Sequence, residues 1–172
     1  MNIVLIGFRG SGKTSIGREV AALLGRPFVD TDALIVQAAG KTIREIFVAE
    51  GESGFRRREV AAIASAAEKD NQVIALGGGA VLNPVNIAGL KARQAKVVWL
   101  RASPETLYTR IQADSSTNAS RPNLTAAGGL EEVKNLLAAR LPLYEAAADA
   151  TLDVGGISVE EAARKVAALW PH

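Results

Sequence analysis

The residues best suited to chemistry in this chain are a lysine and a threonine at the end of a spaced glycine run. From Gly7 the spacing is G-x-x-x-x-G-K-T, closing at Gly12, Lys13 and Thr14. A loop of this kind turns its backbone N–H groups inward around phosphate oxygens, and it needs glycine wherever a Cβ would block the turn or the approach. Gly7, Gly10 and Gly12 meet that need. A helix starting at Lys13 adds its positive dipole end, Lys13 adds a full charge that can reach β- and γ-phosphate oxygens, and the Thr14 hydroxyl can ligate Mg²⁺. Gly10, Ser11, Gly12, Lys13, Thr14 and Ser15 are therefore the candidate nucleotide-binding set. A glycine-rich turn that binds nothing would explain neither Lys13 nor the open helix N-terminus.

Two acids follow at Asp30 and Asp32, one residue apart at the end of a short apolar run. The plain reading is that Asp30 or Thr31 caps the next helix. Beside a phosphate loop the pair suits more: one carboxylate near the Thr14 hydroxyl to place Mg²⁺, and a second to orient and deprotonate an alcohol that accepts a phosphoryl group. The triple glycine Gly77-Gly78-Gly79 either lets backbone approach a ligand closely or is only a flexible turn. Arg56, Arg57 and Arg58 point about 100° apart on a helix and cannot form one patch, so a solvated face with Glu59 as partner stays open for Arg57 and Arg58. Arg121 could swing onto phosphate or simply face solvent. The only histidine is His172 and there is no cysteine. Proton transfer must then use a carboxylate, lysine or tyrosine, and thiol nucleophiles, thiolate metal sites and disulfides are excluded.

The elements that must hold these residues read clearly. Ile3–Ile6, Phe28–Val29, Val73–Leu76, Lys96–Arg101 and Ala150–Val154 are the expected strands, the first and third as continuous apolar runs that suit burial on both faces. Between them come helices over Ser15–Leu24 (apolar face Ile16, Val20, Leu23, Leu24) and Ala33–Ala39. A capping box Thr42-x-x-Glu45 opens Ile43–Glu50, Gly51 breaks it, and Phe55–Lys69 follows with Val60, Ile63, Ala64 and Ala67 inward. Asn83-Pro84 and Ser103-Pro104 start the next two helices. Leu130–Arg140 comes next, interrupted by Pro142, and Ser158-x-x-Glu161 is a second capping box, opening the last helix. Gln112–Ser120 lacks periodicity and reads as a mobile loop or lid. Strands alternating with helices predict an α/β fold: a five-stranded parallel sheet flanked by helices on both faces.

With 172 residues and 48% hydrophobic content, the chain reads as one domain, 1–172, with a sizeable core. A net charge of +2 exerts only a mild pull on anions and does not argue for nucleic acid. No signal peptide precedes Ile3 and no apolar run is long enough to cross a bilayer, so the expectation is a cytoplasmic protein without a membrane partner.

Taken together, GFRGSGKT (7–14), DTD (30–32), IF-x-x-x-GE-x-x-FR (46–56), GGG (77–79), RP (121–122) and R-x-P-x-Y (140–144) closely resemble the shikimate kinases, small members of the nucleoside monophosphate kinase-like group of P-loop proteins. The resemblance runs from Asn2 to about Val166. It implies a three-layer α/β/α kinase fold, with a substrate-binding region near 31–62 and a mobile lid near 112–126. It also implies ATP-dependent phosphorylation of the 3-hydroxyl of shikimate, a step of aromatic amino-acid and chorismate synthesis, with ATP and Mg²⁺ as cofactors and a monomeric state. Carried over by motif, Lys13 would hold the β- and γ-phosphates, and Thr14 with Asp30 would position Mg²⁺. Asp32 would act on the acceptor hydroxyl, and Arg56 and Arg140 would grip the substrate carboxylate beside Gly78 and Gly79. Arg121 would reach phosphate on lid closure, making Lys13, Asp32 and Arg121 the catalytic set, and Arg110 would lie near the adenine.

Other readings compete. A gluconate kinase shares the loop and lid plan, although the DTD, FR and GGG set favours shikimate. A GTPase-like switch could use Asp153-Val154-Gly155-Gly156 as D-x-x-G, but that segment lies near the C-terminus and no N-K-x-D signature exists. A non-catalytic nucleotide-binding homologue is argued against by Lys13, Asp32 and Arg121 all being present.

Overall fold

The computed structural model describes residues 1–114 and 128–170. Beyond Asp114 the expected lid lies outside the described residues, as do Arg121 and His172.

Five parallel strands form one sheet in the order β2-β3-β1-β4-β5, with β1 Ile3–Ile6, β2 Phe28–Asp30, β3 Val73–Ala75, β4 Lys96–Arg101 and β5 Ala150–Asp153. Ile3 pairs with Val73 on one side and Lys96 on the other, which makes β1 the central strand. Every residue of β1 and β3 is buried, as is the interior of β4. Continuous apolar strands reach this state only where helices cover both faces of the sheet. The connection after β1 runs outward to β2, whereas β4 adds on β1's opposite side. The carboxyl end of β1 is thus the point where the sheet's winding changes direction, and a crevice opens there.

Among the described residues the helices are α1 Lys13–Leu24, α2 Thr31–Ala39, α3 Ile43–Ala67, α4 Pro84–Ala92, α5 Pro104–Ala113, α6 Gly129–Ala147 and α7 Val159–Ala168, with a 3₁₀ turn at Ala80–Leu82. Their starts follow the sequence signals: Asn83 and Ser103 cap α4 and α5 with proline in the first turn, and Thr42 and Glu45 form the reciprocal box that opens α3.

Several details depart from expectation. Gly51 does not separate two helices cleanly; α3 continues through it as a kink, with Gly51 at φ 69°, ψ −178°. Glu50 and Arg58 pair across that kink at 3.0 Å. Pro142 does not end α6, which runs on to Ala147. One lost N–H bond is offset there by Tyr144 and Ala147, both buried beyond the proline. Ser158 caps α7, while Glu161 pairs with Lys165 at 3.0 Å. Gln112 and Ala113 belong to α5 rather than to the loop. On α1 the buried face is Ile16, Gly17, Val20 and Ala21, leaving Leu23 exposed. Gly17 can pack against Phe28 because it has no side chain; a Cβ there would stand 2.5 Å from the ring. On α3 the inward residues include Phe55, Glu59, Ile63, Ala66 and Ala67, and Ala64 is exposed.

A main core spans the sheet and its helices. A smaller one, Ile35, Ile43, Ile46 and Phe55, ties α2 to α3.

Candidate active site

The crevice at the end of β1 is a cleft of about 390 Å³. Its walls bring together Gly10, Gly12, Lys13, Thr14, Ser15, Asp30, Asp32, Gly78 and Arg110, residues drawn from separate parts of the chain.

The loop after β1 owes its shape to glycine. Gly10 and Gly12 have φ of 86° and 88°, a region that side-chain-bearing residues rarely adopt. Ser11 is fully buried between them. Lys13 Nζ donates to the carbonyls of Gly7 at 2.7 Å and Phe8 at 3.0 Å, bracing the loop from inside. Gly12 precedes α1 with no side-chain cap, so the first N–H groups of α1 are directed at the cleft for an anion to meet.

Asp30 caps α2 as its position suggested and also bonds the phosphate loop. Its Oδ1 accepts from the backbone N–H of Asp32 at 2.9 Å and of Ala33 at 3.3 Å, capping α2. Its Oδ2 accepts from the Thr14 hydroxyl at 2.9 Å, joining the end of β2 to the phosphate loop. Asp32, in the first turn of α2, is 8% exposed. It faces the glycine segment after β3, where a Cβ on Gly77 would lie 2.7 Å from Asp32 Oδ1 and 3.0 Å from Glu59 Oε2. Gly77 is thus the gap that lets two carboxyl groups enter from α2 and α3.

Arg56 and Arg140 flank that same segment. The Arg56 guanidinium lies where a Gly79 side chain would stand, with Nη2 only 2.5 Å from the position of a Cβ. It is held by Glu59, Nη1 to Oε1 at 2.9 Å, and more loosely by Glu52 at 3.6 Å. Arg140 lies over the ring of Phe8, 5.3 Å from its centroid, in a cation–π contact with the phosphate loop itself. Neither arginine lines the phosphate cleft, which sets them apart as a second, neighbouring half. Arg110 does line it, and its Nη2 donates to the carbonyl of Val154 at 3.1 Å, beside Ile157 and Ser158 of the loop after β5.

Two residues to which the sequence reading gave no place in the site stand out. Glu59 is 1% exposed, and burial pushes its carboxyl above the ordinary value, with Arg56 pulling it back and Asp32 adding to the rise. It is the partner of Arg56 rather than of Arg57 or Arg58; Arg58 pairs with Glu50 and Arg57 is exposed. The i,i+3 spacing of Arg56 and Glu59 was the available signal. Tyr144 is fully buried, and its hydroxyl donates to the Gly78 carbonyl at 2.7 Å.

A braced phosphate loop at the switch point of a parallel sheet, with a hydroxyl–carboxylate pair and a second acid across the cleft, defines a P-loop phosphotransferase. The chain matches the family model described as Shikimate kinase over residues 9–170. A shikimate kinase from Symbiobacterium thermophilum is 53% identical over 148 residues, covering 86% of this chain and 83% of the relative. The structure of a shikimate kinase from Acinetobacter baumannii in complex with shikimate superimposes with a TM-score of 0.89 at 37% identity, covering 96% of this chain and 89% of that one. The chain belongs to the shikimate kinase family. A gluconokinase from Sinorhizobium meliloti shares the fold, with a TM-score of 0.61 at 19% identity over 97% of this chain and 89% of its own. The gluconate alternative is not favoured by the family match.

Proposed function

We propose that this protein transfers the terminal phosphoryl group of ATP to the 3-hydroxyl of shikimate, with the cleft at the end of β1 as the donor half and the Gly77–Gly79 segment with its two arginines as the acceptor half. The observation that carries the reading is the 2.9 Å bond from Thr14 to Asp30. It brings a hydroxyl and a carboxylate together beside the phosphate loop, with Asp32 two residues on.

In this reading the loop amides from Gly10 to Ser15 and the end of α1 cradle the phosphates, and Lys13 adds its charge to the β- and γ-oxygens. Thr14 and Asp30 are the residues that would hold Mg²⁺. The donor set fits: two oxygen ligands held together at 2.9 Å suit an ion that keeps several waters and shares the phosphates. Bound there, Mg²⁺ would neutralise charge on the phosphates. Asp32 orients the acceptor hydroxyl and takes its proton, a role consistent with the absence of cysteine and the remoteness of the single histidine in sequence. Arg56 and Arg140, from different helices, grip the carboxylate of shikimate as forked donors, with Gly78 and Gly79 as the wall against which the ring lies. Arg121, assigned by its motif, adds positive charge at the transferred group, and Arg110 stands on the adenine side. We further propose, from the resemblance, that the chain acts as a single-domain monomer in the cytoplasm; light scattering on a sizing column reads the oligomeric state.

The test is ADP release from MgATP by the purified protein. Shikimate should stimulate it strongly and gluconate weakly, and Asp32→Asn should lower kcat at least 100-fold (roughly, for loss of a general base) with the fold intact. ATP turnover indifferent to shikimate would refute the reading.

A further inference from the structure

Arg140 and Tyr144 lie four residues apart on α6 and therefore on one face of it. The phenol of Tyr144 reaches across to the glycine segment and donates to the Gly78 carbonyl at 2.7 Å, between residues 66 positions apart in the chain. The Arg140 guanidinium, one turn away on the same helix face, is near enough to act on the phenol electrostatically. Its ring is stacked on Trp99 of β4, with centroids 5.6 Å apart and planes 18° from parallel, and the residue has no exposed surface. The hydroxyl thus ties the backbone of the acceptor wall to the turn of α6 next to the one that carries Arg140. Arg140 itself is steadied by the Phe8 ring.

From this arrangement we propose that Tyr144 is a positioning residue for the acceptor substrate: its hydroxyl clamps the Gly77–Gly79 segment to α6 and thereby sets where Arg140 stands for the shikimate carboxylate. The inference rests on the reading of Arg140 given above and extends it to a residue that need not touch the substrate. The chemistry suits the task. The Gly78 carbonyl beyond the end of β3 offers a lone pair that only a donor can meet. A phenol supplies that donor; phenylalanine does not. Burial pushes the phenol up to about 12 against the opposing pull of Arg140, so it remains a donor throughout the range in which the enzyme would be assayed. The stack on Trp99 of β4 fixes the ring so that the hydroxyl needs no search. Tyr144 sits beyond Pro142, on the turn of α6 that the sequence did not assign to a helix.

Tyr144→Phe keeps the ring, the stack and the volume, and removes the hydroxyl alone. The expected result is a rise of about five- to tenfold in KM for shikimate, the scale of one hydrogen bond that orients a charged group. kcat should stay within about threefold, and KM for ATP should not change, because the phosphate cleft contains neither residue. A merely structural role would lower Tm and leave both KM values alike. In an Arg140→Ala background the tyrosine substitution should add less than twofold, since coupled residues are not additive. If Arg140→Ala raises KM for shikimate and Tyr144→Phe does not, the clamp is refuted and the carboxylate reading stands. If Arg140→Ala itself has no effect, that reading falls and takes the clamp with it. Parallel rises in both KM values, or independent addition of the two substitutions, also refute the clamp. Should Tyr144→Phe fail to fold, ring-fluorinated tyrosine incorporated into a Tyr108→Phe protein replaces Tyr144 alone, since the chain has two tyrosines. Its more acidic phenol should add an alkaline limb to shikimate KM that the non-fluorinated protein lacks; an unchanged profile refutes the clamp.

Discussion

Replacing Gly79 by alanine tests the acceptor half with a single methyl group. Gly79 has φ −96° and ψ 5°, open to any residue, so alanine brings no backbone strain. The new Cβ would stand 2.5 Å from Arg56 Nη2, 2.7 Å from Nη1 and 2.9 Å from Cζ. To restore ordinary contact the guanidinium must retreat by roughly 1 Å. A free arginine would do so at little cost, but this one is bonded to Glu59 at 2.9 Å, and a shift of that size takes the bond out of range. Glu59 is buried and would be left facing no cation at hydrogen-bond distance. The loss of a charged hydrogen bond is worth about 1.5–3 kcal/mol, or about ten- to 150-fold in an equilibrium constant. KM for shikimate should therefore rise by at least about tenfold, with KM for ATP within twofold, in an assay that couples ADP release to NADH oxidation. The shared route through Arg56 is checked in an Arg56→Ala background, where Gly79→Ala should add little. A Gly79→Ala enzyme with an unaltered KM for shikimate would show that the packing of Gly79 on Arg56 has no part in substrate binding.

Asp30 and Glu59 offer two further tests. Asp30→Asn keeps an oxygen for the α2 cap and loses the charge, so it should raise the Mg²⁺ concentration needed for half-maximal activity while Tm stays near that of the parent. Asp30→Ala should do the same and also lower stability by about 1 kcal/mol, the usual worth of a cap, or roughly 2–4 °C; equal Tm values for the two variants would argue against the capping role. The Glu59 carboxyl is raised above its ordinary value of 4.5 by burial, with Arg56 opposing. Native Glu59 then holds its proton more firmly than the unfolded chain does, so its contribution is fully present below 4.5 and is lost as pH rises through the raised value. Glu59→Gln should flatten the decline of Tm over that window, and identical Tm–pH slopes for the two proteins would refute the assignment.

The parts of the site that announce themselves in sequence are those held by local rules. Gly7 to Thr14 needs positive φ at fixed offsets and a helix start, and that pattern is visible without neighbours. Asp30 is legible as a cap for the same reason. The misreadings have a common cause: Pro142 suggests a stop because local propensity disfavours it in a helix, yet the burial of Tyr144 and Ala147 carries α6 past it. Leu23 reads as core by spacing, but α1 buries Ile16, Gly17, Val20 and Ala21 and Leu23 faces out.

By itself the sequence determined the phosphate loop, the alternation of strands and helices, and the set of motifs shared with the family, because each depends on residues within a turn or two of one another. Tertiary structure alone decided that Gly77 leaves room for Asp32 and Glu59 together, that Gly79 makes room for Arg56, and that Tyr144 joins Gly78 to the helix of Arg140. Those pairings span separations of up to 66 residues. They arise from strand order and from the space a missing Cβ leaves, neither of which local spacing in the chain encodes.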